Sequence, residues 1–190
     1  MHDSCQVAGE TEPTSRVAAV VLAAGQASRF GAPKQRLLLP CVLERLARAE
    51  LDDVVVVAGA YPLEAGSVRV VIATDWELGP GASLRAGLAA LGSDVDAAVV
   101  VLADGPRIDP ASVARVVDAW RTGGGDVAAA SYGGARGHPL VLGRTAWIDV
   151  PDEGLRAADV TLVPCDDLGA PGDVDTREDL PALGLGADEE

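Results

Sequence analysis

The sequence predicts a single α/β domain, with a mostly parallel β-sheet held between two layers of helix. Three features carry that reading. Short, unbroken apolar runs dominated by valine recur along the chain, as at residues 17–22 and 97–102. A strand covered on both faces takes this form, because a polar side chain on either face would be buried. The runs alternate with segments of helical periodicity, which is the rhythm of βαβ units. Finally, 190 residues of which 48% are hydrophobic suffice to bury one sizeable core.

Taken in order, Val-Ala-Ala-Val-Val-Leu at 17–22 predicts the first strand, and an amphipathic pattern near 37–50 the first helix. Four successive valines at 54–57 and the run at 68–72 predict two more strands, followed by a helix near 82–91. Ala-Ala-Val-Val-Val-Leu at 97–102 reads as another buried strand, and 110–121 as a helix opened by a proline. Residues 126–130, 139–142 and 160–163 complete the expected sheet. No internal repeat or low-complexity linker divides the chain, so residues 16–183 are read as the folded domain. Residues 1–15 read as a flexible polar tail without the basic and apolar regions of a secretory signal, and 184–190 as an acidic tail.

Composition narrows the function classes. The net charge is -14, with 29 acidic residues against 15 basic ones, and nucleic acid is not an expected partner of such a chain. No apolar run approaches the roughly 20 residues of a membrane span, so no membrane partner is expected. Cys5, Cys41 and Cys165 are odd in number and widely spaced, which argues against a disulfide framework and for a cytoplasmic location.

The chemistry concentrates in the loop after the first strand, Leu-Ala-Ala-Gly-Gln-Ala-Ser-Arg-Phe-Gly-Ala-Pro-Lys-Gln at 22–35. Lys34 is the only lysine, set against fourteen arginines. Lysine offers a flexible point charge able to follow a phosphate, where arginine offers a planar fork. Gly25 and Gly31 let a ligand approach the main chain, Ser28 adds a hydroxyl and Arg29 a fixed charge. Such a loop, at the carboxyl end of a buried parallel strand, is placed to cradle a polyphosphate. It is not a P-loop, because five residues separate Gly25 from Gly31 and Ala-Pro precedes Lys34. Nor is Gly79-Pro-Gly81 the start of a dinucleotide fingerprint, since the third glycine is missing.

A second candidate is Asp104 in Leu-Ala-Asp-Gly-Pro, directly after the apolar run at 97–102. It reads either as a turn or capping aspartate, or as a ligand for Mg²⁺, which takes one or two carboxylates together with substrate phosphates. A second acid would come from Gly-Asp-Val-Asp-Thr-Arg-Glu-Asp-Leu at 172–180, where Asp173 and Asp175 project to opposite sides if the backbone is extended. Thr176 and Asp179 have the spacing to cap a last helix.

The 22–35 loop resembles the signature Leu-Ala-Ala-Gly-x-x-x-Arg-hydrophobic-Gly-x-Pro-Lys-Gln of the MobA-like nucleotidyltransferases, and within them is most similar to the molybdenum cofactor cytidylyltransferases. Asp104 with Pro106 matches the family's Leu-x-Asp-x-Pro, and 173–180 its Asp-Ile-Asp-Thr-Pro-Glu-Asp-Leu. The stretch from Trp76 to Ser83-Leu84 is similar to a base-contacting segment, and Gly-His-Pro at 137–139 to an acceptor-side motif. Residues 151–156 resemble a weakened second acceptor segment, and the stretch between Pro-Lys-Gln and the first helix is shorter than is common in the family.

The resemblance implies a Rossmann-like three-layer αβα fold, an Mg²⁺ cofactor, and transfer of a nucleotidyl group, CMP from CTP, to a phosphate monoester of the molybdopterin type with release of pyrophosphate. Arg29 and Lys34 become the catalytic cations. Leu22, Ala23, Ala24, Gly25, Ser28, Arg29 and Lys34 become nucleotide contacts, with Ser83 reading the base or, on the plainer view, capping the helix that follows. Asp104 and Asp173 become metal ligands and His138 an acceptor contact. A nucleoside triphosphate and a phosphorylated small molecule are the expected partners, with a molybdoenzyme or its chaperone downstream. The alternatives are GTP as donor, a sugar phosphate as acceptor, or a non-catalytic nucleotide-binding accessory to a molybdoenzyme.

Overall fold

Residues 17–21 are all fully buried, which explains why the first strand is valine and alanine without a polar break. The computed structural model describes residues 15–26, 30, 33–123, 125–174, 176 and 179–180. Within these, the chain runs β1 (Val17–Ala23), α1 (Lys34–Leu46), β2 (Asp53–Ala58), β3 (Arg69–Ile72), α2 (Pro80–Ala90), β4 (Ala97–Leu102), α3 (Pro110–Arg121), β5 (Val127–Tyr132), β6 (Ala135–Gly143) and β7 (Thr161–Pro164).

The strands form one sheet in the order β3-β2-β1-β4-β6-β5-β7. The neighbours β3, β2, β1 and β4 are parallel. β6 runs antiparallel to both β4 and β5, and β7 returns parallel to β5. Alternate residues of β1 feed two separate cores, as the two-residue period of a strand requires. Val17, Ala19 and Val21 pack with α1 and α3, through Leu39, Val42, Val113 and Val116. Ala18 and Val20 pack on the opposite face with Leu84 and Leu88 of α2. The predicted three-layer α/β fold is the observed one.

Helix α1 is displaced from its expected span. It starts at Lys34, directly after Pro33, and runs through Pro40. Its buried positions Leu38, Leu39, Val42 and Leu46 keep helical spacing, so apolar packing outweighs the hydrogen bond that Pro40 cannot donate. Beyond Leu46 the chain tightens into short-range bonds, Arg48 N–H to the Arg45 carbonyl and Ala49 N–H to the Leu46 carbonyl. Lys34 therefore opens a helix instead of riding on a loop, consistent with the short connection after Pro-Lys-Gln.

β6 departs further from expectation, beginning at Ala135 rather than 139 and running against the parallel direction. The cause is the hairpin Tyr132-Gly133-Gly134-Ala135, in which Tyr132 pairs with Ala135. Gly133 and Gly134 have φ of 59° and 78°. Positive φ at both central residues is the requirement of the tight turns that join antiparallel strands, and glycine meets it without steric cost.

Candidate active site

Leu22 of β1 lies in register with Leu102 of β4, so the two chemistry-bearing loops leave the same edge of the sheet side by side. That edge is the carboxyl end of the parallel strands, where open α/β sheets bind ligands. Because β6 is antiparallel, it brings its beginning to the same edge: Val100 pairs with Leu140, and Arg136, Gly137 and His138 lie beyond.

Lys34 and Asp104 meet at the centre. Lys34 Nζ is 3.0 Å from Asp104 Oδ2 and donates a 2.5 Å hydrogen bond to the Val174 carbonyl. Only 7% of Lys34 is exposed, so its ammonium is held in place and not free to wander as the sequence suggested. The Val174 N–H donates in turn to the Asp104 carbonyl, which places Asp173 one residue from a direct backbone contact with Asp104. The Val174 side chain locks this arrangement into a small apolar cluster with Phe30, Leu38 and Leu180. Thr176 donates to Asp179 Oδ2 from both its N–H and its hydroxyl, the reciprocal half of the predicted cap.

Asp104 is not the cap of α3. That role belongs to Asp109, whose Oδ1 accepts from the Ala111 N–H at 2.8 Å. Ser83 is likewise no helix cap, because α2 begins at Pro80 and Ser83 lies buried within its first turn.

Leu22, Ala23, Ala24, Gly25, Ser83 and Asp104 together line one cavity of about 350 Å³, which Trp76 and Gln35 also border. Gln35 Nε2 donates to the Gly25 carbonyl at 2.7 Å and pins the start of the glycine loop to α1. Its Oε1 is buried with no hydrogen-bond partner among the described residues. Asp173 lines a neighbouring cavity of about 370 Å³ with Tyr132, Arg136 and His138. Ser28, Arg29 and the alternative ligand Asp175 lie outside the described residues.

The segment 150–154 is fastened to the amino end of α2. The Gly81 N–H donates to the Asp152 carbonyl at 2.9 Å, and Arg85 reaches the Val150 carbonyl at 2.6 Å and Asp152 Oδ1 at 2.5 Å. The approach is close enough to demand glycine: a Cβ on Gly81 would lie 1.7 Å from the Pro151 carbonyl oxygen. Two segments that looked independent in the sequence thus form one wall.

His138 lies on a third cavity of about 330 Å³. Burial pushes its imidazole down to about 4, with Arg136 lowering it further and Asp104 opposing. The ring is therefore neutral near pH 7, which suits positioning by hydrogen bonds more than storage of charge. The Tyr132 hydroxyl donates to the His138 carbonyl at 3.0 Å.

Arg136 is the residue that sequence reasoning missed. It lines two of these cavities and is anchored by Nη1 to the Leu155 carbonyl at 2.7 Å. The signal was available: Gly-Gly between strand-like residues marks a hairpin, and a hairpin here forces Arg136 back to the ligand edge.

A glycine loop, a buried lysine and a carboxylate gathered at the carboxyl edge of parallel strands define an α/β protein built to handle phosphate. The MobA-like NTP transferase domain matches residues 19–159, and the chain belongs to that family. No curated protein matches the chain. Among solved structures, the homolog of Mycobacterium tuberculosis rv0371c from Mycobacterium sp. strain JC1 is 26% identical, with 88% of this chain and 94% of that one covered and a TM-score of 0.73. The manganese complex of Rv0371C from Mycobacterium tuberculosis H37Rv is 26% identical over 89% of this chain and 98% of that one, with a TM-score of 0.69. CMP:2-keto-3-deoxy-manno-octonic acid synthetase complexed with CTP shares the fold at 14% identity, a TM-score of 0.71, and coverage of 89% and 97%. No helix among the described residues is long and apolar enough to cross a membrane.

Proposed function

We propose that this nucleotidyltransferase-family protein moves CMP from CTP onto a phosphate monoester of the molybdopterin type, as a molybdenum cofactor cytidylyltransferase does, and passes the product to a molybdoenzyme or its chaperone. The observation that carries the reading is the ion pair between buried Lys34 and partly exposed Asp104, the latter lining a cavity together with Leu22 to Gly25 and Ser83. An acceptor phosphate oxygen bonds to the α-phosphorus of the triphosphate as the bond to the bridging oxygen breaks, and pyrophosphate leaves with that oxygen. Little covalent work falls to the protein, so positioning and charge stabilisation supply the rate.

Lys34, fixed by Asp104 and the Val174 carbonyl, is preorganised to neutralise charge on the α-phosphoryl and leaving oxygens. Arg29, from the glycine loop, shares that task. Backbone groups of Leu22, Ala23, Ala24 and Gly25, with Ser28, receive the nucleotide, and Ser83 reads the base. Asp104 and Asp173 are hard oxygen donors from two segments joined through the Val174 N–H, a donor set that suits Mg²⁺ completed by substrate phosphates. When bound, the ion would offset phosphate charge and polarise the α-phosphoryl group. His138, neutral and half-buried, positions the acceptor.

The experiment is pyrophosphate release from CTP with Mg²⁺ and a pterin phosphate acceptor. Wild type should release pyrophosphate only with metal, and Asp104→Asn should lose the activity while staying folded. Equal turnover by Asp104→Asn would overturn the assignment of that carboxylate. Release from GTP in preference to CTP would move the donor to another branch of the family.

A further inference from the structure

Gln35 carries a side-chain oxygen for which the fold supplies no partner. The residue stands in the first turn of α1, is 5% exposed, and borders the cavity of about 350 Å³ with Leu22 to Gly25, Trp76 and Ser83. Its Nε2 donates to the Gly25 carbonyl at 2.7 Å. A carbonyl can only accept, so turning the amide round would set oxygen against oxygen, and the orientation is fixed. Oε1 is left over, a buried side-chain oxygen with no hydrogen-bond partner among the described residues. Such atoms are rare in folded proteins, because the loss of hydration is not recovered.

The acceptors around it are already engaged. The Leu22 carbonyl accepts from the Ala103 N–H at 3.0 Å, that of Ala24 from the Ala60 N–H at 3.1 Å, and that of Gly25 from Gln35 itself. Asp104 faces the Lys34 ammonium at 3.0 Å. The Ala24 junction is also packed too closely to rearrange: a Cβ on Gly59 would lie 2.7 Å from the Ala24 Cβ and 2.8 Å from the Trp76 Cβ. A donor entering along residues 22–25 therefore meets the Gln35 amide as the acceptor still to be filled. The terminal torsion of glutamine is broad, so Oε1 can turn towards the cavity while an N–H stays on the Gly25 carbonyl.

Resting on the nucleotidyltransferase reading above, we propose that Gln35 is a specificity-determining residue whose Oε1 accepts a hydrogen bond from an N–H or O–H donor of the bound nucleoside, either the exocyclic amine of the base or a ribose hydroxyl. A nucleotide that offers a carbonyl at that point, or nothing, leaves the buried oxygen unpaired and is rejected. Through Nε2 the same side chain sets the Gly25 carbonyl, so recognition of the nucleoside is tied to the start of the glycine loop.

The test is calorimetric titration of the full chain, in Mg²⁺, with CTP, UTP, 2′-deoxy-CTP and 3′-deoxy-CTP. UTP replaces the amine by a carbonyl, and each deoxynucleotide deletes one hydroxyl. One of these analogues should bind about tenfold or more weakly than CTP, and its identity names the donor. Gln35→Met removes the acceptor and should bring CTP and that analogue within about twofold of each other. Gln35→Glu also loses the donor to Gly25 but keeps an acceptor, and should retain the preference of about tenfold. If Gln35 served only to anchor Gly25, the two variants would behave alike and weaken every nucleotide in proportion; that result overturns the proposal. If neither variant folds, the side-chain amide NMR signals of Gln35 in wild type decide: they should shift with CTP and not with the weak analogue, and signals unmoved by CTP overturn the proposal. Equal affinity of wild type for all these nucleotides removes the role of Gln35 and leaves the transferase reading standing, whereas binding of none removes both.

Discussion

The two halves of the sheet differ in one strand: β3-β2-β1-β4 is parallel throughout, whereas in β4-β6-β5-β7 the strand β6 runs against both of its neighbours. In the parallel half, β3-β2-β1-β4, every strand ends at the same edge, and the proposed function draws on the segments that leave the strand ends: the glycine loop after β1 and Asp104 after β4. In the other half β6 is reversed, and the polar side chains it brings to this edge, Arg136 and His138, come from the beginning of a strand. One half offers backbone and the clamped Lys34 ammonium, the groups to which the proposed function assigns the polyphosphate. The other presents a neutral imidazole, a guanidinium and leucine walls. A two-substrate reaction needs two such environments meeting at one edge, and the Lys34–Asp104–Val174 junction is where they meet.

The most damaging change should fall at that junction. Lys34→Ala should lower turnover on the order of a hundredfold, since it deletes a preorganised charge contact. It also removes the donor to the Val174 carbonyl, so proteolytic nicking near 172–180 should accelerate in parallel. Turnover within a few-fold of wild type would detach Lys34 from the chemistry. Next comes the wall that couples the halves. Gly81→Ala would drive a Cβ into the Pro151 carbonyl and should destabilise the fold by about 1–3 kcal/mol in a urea titration, with acceptor KM rising because the 150–154 segment must move. If stability falls and KM does not change, that segment is structural only.

A third test isolates the reversed strand through pH. The folded pKa of His138, about 4, lies below the ordinary value of 6.5. The unfolded chain therefore binds the proton more readily, and the stability contribution present above pH 6.5 is lost as pH falls towards 4. His138→Gln should flatten stability against pH in that window relative to wild type, and parallel curves would contradict the burial of the imidazole. The smallest effect should come from Asp152→Asn. Its carboxylate pairs with Arg85 at 2.5 Å on the surface, and the loss should stay below about 1 kcal/mol by thermal melting.

How much of this was legible in the sequence also divides along the sheet. The valine runs located β1, β2 and β4, because strands buried on both faces must be apolar throughout, and the loops after β1 and β4 were placed correctly at one edge. Pro110 marked the start of α3, but its cap is Asp109 and not the Asp104 that the sequence offered. The sequence singled out Lys34 but not its setting: its hydrogen bond to the Val174 carbonyl, 140 residues away, is a tertiary contact that no local pattern encodes. The same limit hid the union of Gly81 with Asp152. Arg136 was overlooked because βαβ rhythm was carried through to the end of the chain, although Gly133-Gly134 announced a reversal.

The most direct test of the central claim is a calorimetric titration of the protein with CTP and with GTP, each with and without Mg²⁺. Tight binding of CTP that depends on the metal, and is lost in Lys34→Ala, is the predicted result. Absence of binding by either nucleotide in the presence of Mg²⁺ would contradict it.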